Sequence, residues 1–258
     1  MHCSISGQGP ILVMIHGWSM HSGVWHVLVD RLSAHFTLHL IDLPGHGLSD
    51  WRSGDFELET MLGWMAAELP EQACFLGWSL GGLISLAFTE RYPERVEKLV
   101  LLAATPCFTQ RDNWLNAMLP TVFQNFEKQL KQDQPETLKQ FLLLQARGSS
   151  QSKQTIKALA GMVAEVGEVN SEALVTGLSL LMHLDMRAAL SAVTCPSLLL
   201  LGERDTLIPA AMAEDARALN VTLATQVITG AGHAPFISHV DECEQAIINF
   251  VLQGQDCV

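Results

Sequence analysis

Charge is scarce in this chain, and positive charge scarcer still. Asp, Glu, Lys and Arg make up 16% of the 258 residues, with 15 Lys and Arg against 27 Asp and Glu, for a formal charge of −12. A surface of that sign repels nucleic acid and anionic lipid, so neither nucleic acid nor membrane is expected as a partner. The six cysteines (Cys3, Cys74, Cys107, Cys195, Cys243 and Cys257) include no C-x-x-C pair and no Cys/His spacing suited to tetrahedral zinc. They read as free thiols, and neither a metal nor another cofactor is expected. The first residues, Met1-His2-Cys3-Ser4-Ile5-Ser6, lack the basic stretch and apolar run of a secretory signal. The longest apolar runs are strand-sized, well short of the ~20 residues that a membrane helix needs. A reducing cytosol is the expected location. No internal repeat or low-complexity linker interrupts the chain, and a monomer is the expectation.

What remains is a chain of 48% hydrophobic residues, long enough to bury a core without disulfide or metal staples. Short apolar runs bounded by Gly, Pro or polar residues occur at Ile11 to Ile15, Phe36 to Ile41, Cys74 to Leu76 and Lys98 to Ala104. Amphipathic stretches such as Val24 to Leu32 and Leu83 to Arg91 lie between them, the second stopped near Pro93. This alternation predicts an α/β fold, a mostly parallel sheet with helices on both faces. From about Cys107 the strand rhythm gives way to Leu, Gln, Lys and Ala at helical spacing. It resumes at Ser197 to Leu201 and Leu223 to Ile228, before a closing helix from about Asp241 to Leu252. The expected organisation is a discontinuous core, 1–106 and 187–258, with a helical cap inserted at 107–186.

The strongest local motif is Gly77-Trp78-Ser79-Leu80-Gly81, a G-x-S-x-G sequence between a strand and a helix expected to begin near Gly82. Small residues on both sides let a serine take up a strained backbone and lift its hydroxyl above the sheet. Serine needs an adjacent base, itself oriented by an acid, and on such a fold the chain order is Ser, acid, His. Downstream, Leu201-Gly202-Glu203-Arg204-Asp205 ends a strand, with Asp205 the preferred acid and Glu203 its competitor. His233, in the loop Thr229-Gly230-Ala231-Gly232-His233-Ala234-Pro235, is the preferred base, with His239 as the alternative. His16, His21, His26 and His46 precede the serine, the wrong side for this order. An acyl-enzyme route also needs donors for an oxyanion. The N–H of Leu80, just after the serine, and that of Trp18, in Ile15-His16-Gly17-Trp18, are the candidates. Trp78, next to the serine, is expected to form pocket wall. Trp114, Phe123, Phe126, Phe141, Leu142 and Leu144 are apolar residues of the inserted segment, of which only a part can face the site.

With the triad order and Asp42-Leu43-Pro44-Gly45-His46-Gly47-Leu48-Ser49, the chain resembles the α/β-hydrolase family along its whole length. Narrower markers make it similar to the carboxylesterases of the biotin pathway. These are His16-Gly17-Trp18, Leu76 to Leu83, Pro106-Cys107-Phe108, Phe141-Leu142-Leu143-Leu144-Gln145 and Gly232 to His239. The resemblance implies a triad of Ser79, Asp205 and His233 and an oxyanion hole of Trp18 and Leu80. It also implies an acyl-chain wall formed by Phe141, Leu142, Leu143, Leu144 and Gln145. The substrate it implies is a methyl pimeloyl group on acyl-carrier protein, hydrolysed at the methyl ester. Independently of that resemblance, Thr137 to Ala164 holds Lys139, Arg147, Lys153 and Lys157 and no acidic residue, a basic island on an acidic protein. An acidic carrier or a phosphopantetheine arm could dock there, as could nothing at all if these are solubilising charges. A general short-chain esterase, another small-substrate hydrolase of this fold, and a non-catalytic ligand-binding member stay open as alternatives.

Overall fold

In the computed structural model, residues 1–166 and 169–253 are described, without the side chains of 163–168. Seven strands, β1 (His2–Gly7), β2 (Ile11–Ile15), β3 (Thr37–Asp42), β4 (Ala73–Trp78), β5 (Val96–Leu102), β6 (Ser197–Gly202) and β7 (Ala224–Ile228), form one sheet in the order β1-β3-β2-β4-β5-β6-β7. All neighbours are parallel except β1, which runs antiparallel to β3. The apolar runs at 11–15, 36–41, 74–76, 98–104, 197–201 and 223–228 all lie on strands, within a residue or two. The edge strand β1, His-Cys-Ser-Ile-Ser-Gly, carries too few apolar residues to announce itself.

The helices are α1 (His26–Leu32), α2 (Leu58–Glu68), α3 (Leu80–Arg91), α4 (Pro120–Gln132), α5 (Gln134–Ala146), α6 (Ser152–Val166), α7 (Ser171–His183), α8 (Arg187–Ala192), α9 (Met212–Leu219), α10 (Pro235–Ser238) and α11 (Val240–Leu252). Five of them, α4 to α8, lie between β5 and β6, and α4 to α7 fill the run where the strand rhythm is missing. Their ends are written in the sequence. Pro120 opens α4, whose Phe123, Phe126 and Leu130 make the buried stripe. Asp133 caps α5 through the Glu136 N–H at 3.1 Å, and Asn170 caps α7 through the N–H groups of Glu172 and Ala173.

Strand side chains alternate between faces, and the core divides accordingly. Val13, Ile15, Phe75, Leu99, Leu101, Leu199 and Leu201 share one cluster with α3, Trp18 and Phe123, Phe126 and Phe141 of α4 and α5. Leu12, Met14, Leu76, Trp78, Val100, Leu102, Leu198 and Leu200 face the other way, against Trp25, Leu28, Phe236 and α11. The chain winds from β2 out to β3, then returns to the far side of β2 with β4. The crevice beyond the carboxyl ends of β2 and β4 is therefore a topological switch point, where sheets of this kind bind ligands.

Candidate active site

Ser79 sits at that switch point, between the last residue of β4 and the first of α3. Its φ of 55° and ψ of −116° lie in a region that a side chain rarely adopts. Glycine on either side makes the turn possible. A Cβ at Gly77 would stand 2.3 Å from the Gly81 carbonyl, and one at Gly81 would stand 2.1 Å from that of Ile15. The helix consequently begins at Leu80, two residues before the expected Gly82, and its N-terminus presses on the end of β2. That contact brings the Leu80 and Trp18 segments together. The Leu80 N–H, at the first helical position, has no carbonyl one turn back to bind and lies at the positive end of α3.

His233 and Asp205 come from the loops after β7 and β6. The imidazole Nε2 is 2.9 Å from Ser79 Oγ, and Nδ1 is 2.7 Å from Asp205 Oδ2. The other carboxylate oxygen, Oδ1, accepts the N–H groups of Leu207 and Ile208 at 2.8 and 3.0 Å, which fixes the carboxylate plane. All three side chains are buried, Ser79 at 4%, Asp205 at 5% and His233 at 1% exposure, so their hydrogen bonds compete with little water. With Nδ1–H donated to Asp205, Nε2 is the free base facing the hydroxyl. The arrangement can take the proton of Ser79 and return it to a leaving group.

The two competitors lie elsewhere. Glu203 Oε2 accepts the Gly230 N–H at 2.8 Å and so braces the histidine loop, without reaching the imidazole. His239 pairs through Nδ1 with Ser238 Oγ. The early histidines brace the other loop. His16 Nδ1–H donates to the Gly17 carbonyl at 2.8 Å, and its Nε2 accepts the Leu43 N–H at 3.0 Å. Burial lowers its pKa to about 4 and that of His46 to about 3, so both rings are neutral at pH 7. Asp42 ties the same region together by accepting the N–H groups of Ser22 and Leu48 at 2.6 and 2.9 Å.

Trp18 is 1% exposed, and its indole Nε1–H donates to the Leu174 carbonyl of α7 at 2.8 Å. Phe141 packs edge-on against it, with ring centroids 4.7 Å apart. Of the five residues expected to form an acyl wall, Phe141 thus reaches the Trp18 side of the site. Gln145 is buried, and its carbonyl accepts the His233 N–H at 3.1 Å. Leu144 packs with the Trp18 cluster and Leu142 with the opposite one. Leu143 departs from the expectation. It is 46% exposed, in line with exposed Lys139 and Arg147 one turn to either side, on the outer face of α5.

Trp78 also departs from its expected place. As the residue two after Leu76 on β4, it points to the sheet face opposite Trp18, buried at 1% exposure between Trp25 and Phe236. Its ring lies 5.8 Å from the His233 imidazole, centroid to centroid, and its Nε1–H donates to the His233 carbonyl. Among the other aromatic candidates, Trp114 is tied to the Cys107 carbonyl at 2.8 Å, and Phe126 packs on Phe141 at 6.0 Å. The basic residues Lys139, Arg147, Lys153 and Lys157 are all exposed on α5, the following turn and α6, with Lys139 paired to Glu136 at 3.4 Å.

The alpha/beta hydrolase fold profile matches residues 10–240. This chain belongs to the α/β-hydrolase fold family. Within the family it is 42% identical over 253 residues to a pimeloyl-[acyl-carrier protein] methyl ester esterase of Xylella fastidiosa, covering 97% of this chain and 98% of the relative. An esterase of the same description from Xanthomonas oryzae pv. oryzae is 41% identical over 251 residues, with the same coverage. A solved esterase from Exiguobacterium antarcticum superposes with a TM-score of 0.87 at 23% identity, over 97% of this chain and 94% of that one, a likeness of fold. Like other α/β hydrolases, the chain carries its candidate chemistry on loops beyond the strand ends. The five cysteines among the described residues are free, while Cys257 lies outside them. No helix among the described residues is long and apolar enough to cross a membrane, and they contain no cluster of three or more metal-ligating acidic, His or Cys side chains.

What sequence reasoning missed is the scaffolding. Gly177 lets α7 approach Trp18, where a Cβ would stand 2.9 Å from the indole Cδ1. An isolated glycine inside a helical run, Leu174-Val175-Thr176-Gly177-Leu178, was the available signal.

Proposed function

We propose that this chain is a serine carboxylesterase that removes the methyl ester from a pimeloyl group carried on acyl-carrier protein, the hydrolytic step that precedes biotin assembly. The observation that carries the esterase reading is the continuous hydrogen-bonded line from Ser79 Oγ through His233 to Asp205 at the end of a strained elbow. The substrate reading rests on the relatives, 41–42% identical over nearly the whole chain, whose description names that ester.

In this reading Ser79 Oγ attacks the ester carbonyl carbon while His233 Nε2 takes its proton. The carbonyl oxygen becomes an oxyanion that accepts the N–H groups of Trp18 and Leu80, a stabilisation worth ~3 kcal/mol per donor. Collapse breaks the bond to the methoxy oxygen, which leaves as methanol with the proton from His233. Water then attacks the acyl-enzyme, passing its proton to His233 and on to Ser79 as the free carboxylic acid departs. Asp205 holds the imidazole tautomer through both halves. The thioester at the far end of the pimeloyl chain is untouched. Segment 107–186 acts as a cap over the core formed by 1–106 and 187–258, and Phe141, Leu144 and Gln145 border the acyl path. With Ser79 only 4% exposed, the ester reaches it when side chains at the cap edge part. Arg147, Lys153 and Lys157 on the outer cap face the acidic carrier. The test is labelling with a fluorophosphonate followed by peptide mass analysis. Stoichiometric adduct on Ser79, with loss of methyl pimelate hydrolysis and no activity in Ser79→Ala, supports the reading. Full activity in Ser79→Ala overturns it.

A further inference from the structure

The loop that carries His233 contains neither strand nor helix from Thr229 to Ala234, so a small set of hydrogen bonds decides where the imidazole stands. His233 itself is held at both backbone groups. Its N–H donates to the Gln145 carbonyl, and its carbonyl accepts the Trp78 indole Nε1–H at 2.8 Å. Trp78 is the residue immediately before Ser79. One side chain therefore measures the distance between the backbone that bears the nucleophile and the backbone that bears the base. We propose that Trp78 is a positioning residue, whose indole N–H sets the His233 loop at the spacing that both proton transfers require.

Two observations and one chemical argument favour this over simple core filling. The indole is locked: it lies edge-on to Phe236 with centroids 4.9 Å apart, approaches Trp25 at 6.3 Å, and its six-membered edge would meet a Cβ on Gly17 at 3.1 Å. A ring so confined holds its N–H at a fixed point. The acceptor belongs to His233, whose residue exposure is 1%, and Trp78 is its one protein donor among the described residues. Losing the donor leaves a buried carbonyl without a partner, and the loop relieves that by moving. Finally, the imidazole takes a proton from Ser79 Oγ and then delivers it to a different oxygen, so a base anchored by its backbone serves both geometries.

The inference rests on the Ser79, His233 and Asp205 reading, and its test separates the two. Site-specific incorporation of 3-benzothienylalanine at position 78 keeps the bicyclic shape and replaces N–H with sulfur, while 5-fluorotryptophan alters the ring and keeps N–H. Trp78→Phe supplies a genetically simpler third case. The benzothienyl protein is expected to lose about 10- to 100-fold in kcat, the scale of an ångström-level misplacement. KM should stay within about threefold, and the fluorotryptophan protein should stay near wild type. Fluorophosphonate labelling of Ser79 should slow in parallel, since it needs the same base. A benzothienyl protein with kcat within twofold of wild type overturns the proposal, as does one that loses only thermal stability. If Ser79→Ala retains full turnover, the triad reading falls instead.

Discussion

Gly177→Ala adds a single methyl group at the place where α7 meets Trp18 and Leu80, the two proposed oxyanion donors. The new Cβ would stand 2.9 Å from Trp18 Cδ1, 3.3 Å from Trp18 Nε1 and 3.4 Å from Leu80 Cδ2. A relaxed carbon contact is about 3.5–4.0 Å, so the nearest approach is short by roughly 0.6–1.1 Å. Trp18 cannot swing aside freely, because its Nε1–H is bonded to Leu174 on the same helix and Phe141 closes its other face. Either α7 lifts or the Trp18 segment shifts with its backbone N–H. Overpacking costs about 1–3 kcal/mol, and the better helix propensity of alanine returns about 1, leaving a net destabilisation of roughly 0–2 kcal/mol. The effect on catalysis is larger, about 10- to 100-fold in kcat, because the proposed oxyanion donor moves by an appreciable fraction of an ångström. Steady-state hydrolysis of methyl pimelate and urea unfolding read the two effects separately. Gly161→Ala is the control, since a Cβ there meets nothing within 4 Å. It should gain about 1 kcal/mol and leave kcat unchanged. A Gly177→Ala enzyme with kcat within twofold of wild type refutes the link between α7 and the oxyanion hole.

Asp205→Asn should lower kcat by about 10⁴ through loss of the correct His233 tautomer, whereas Glu203→Gln, which disturbs the Gly230 brace and the exposed pair with Arg204 and leaves the imidazole untouched, should cost under tenfold; reversal of that ranking in steady-state assays contradicts the assignment. Acid should weaken the fold through His16 and His46. Their folded pKa values of about 4 and about 3 lie below the unfolded 6.5, so the unfolded chain takes up protons first and stability present above pH 6.5 is lost on the way down. At pH 5 each costs about 2 kcal/mol relative to pH 8, and urea midpoints that stay flat over this range refute the burial argument. Lys153→Glu with Lys157→Glu should raise KM for a carrier-linked methyl ester while leaving a free methyl ester unaffected, and salt should diminish the difference. Equal KM changes on both substrates remove the docking surface.

Much of this was legible in advance because the decisive features are local. The elbow needs glycine at 77 and 81, and the buried strands β4 and β6 are continuous apolar runs, as parallel strands covered on both faces must be. The elements left unread have a physical reason. Edge strand β1 holds few apolar residues, and α2 buries only Met61, Leu62 and Met65 on a weakly patterned stretch. Asp205 and Glu203 stand two residues apart in one turn, and spacing alone does not distinguish them because side-chain direction decides which reaches the imidazole. Nearness to Ser79 suggests a pocket wall for Trp78, but strand parity with Leu76 turns it to the other face. The family resemblance makes Leu143 part of the wall along with its neighbours in the apolar run. The helical period places it outward with Lys139 and Arg147, a distinction that a run of leucines hides. The bonds from Trp18 to Leu174 and from His233 to Gln145 join residues 156 and 88 positions apart, where no local pattern applies.

The most direct measurement of the central claim is intact mass spectrometry of methyl pimeloyl acyl-carrier protein incubated with the purified enzyme, with Ser79→Ala run alongside. The account predicts a net loss of one CH₂ from the carrier species, release of methanol, retention of the thioester, and no change with Ser79→Ala. An unaltered carrier species beside brisk hydrolysis of a short free ester, or release of the acyl chain from the carrier, would contradict it.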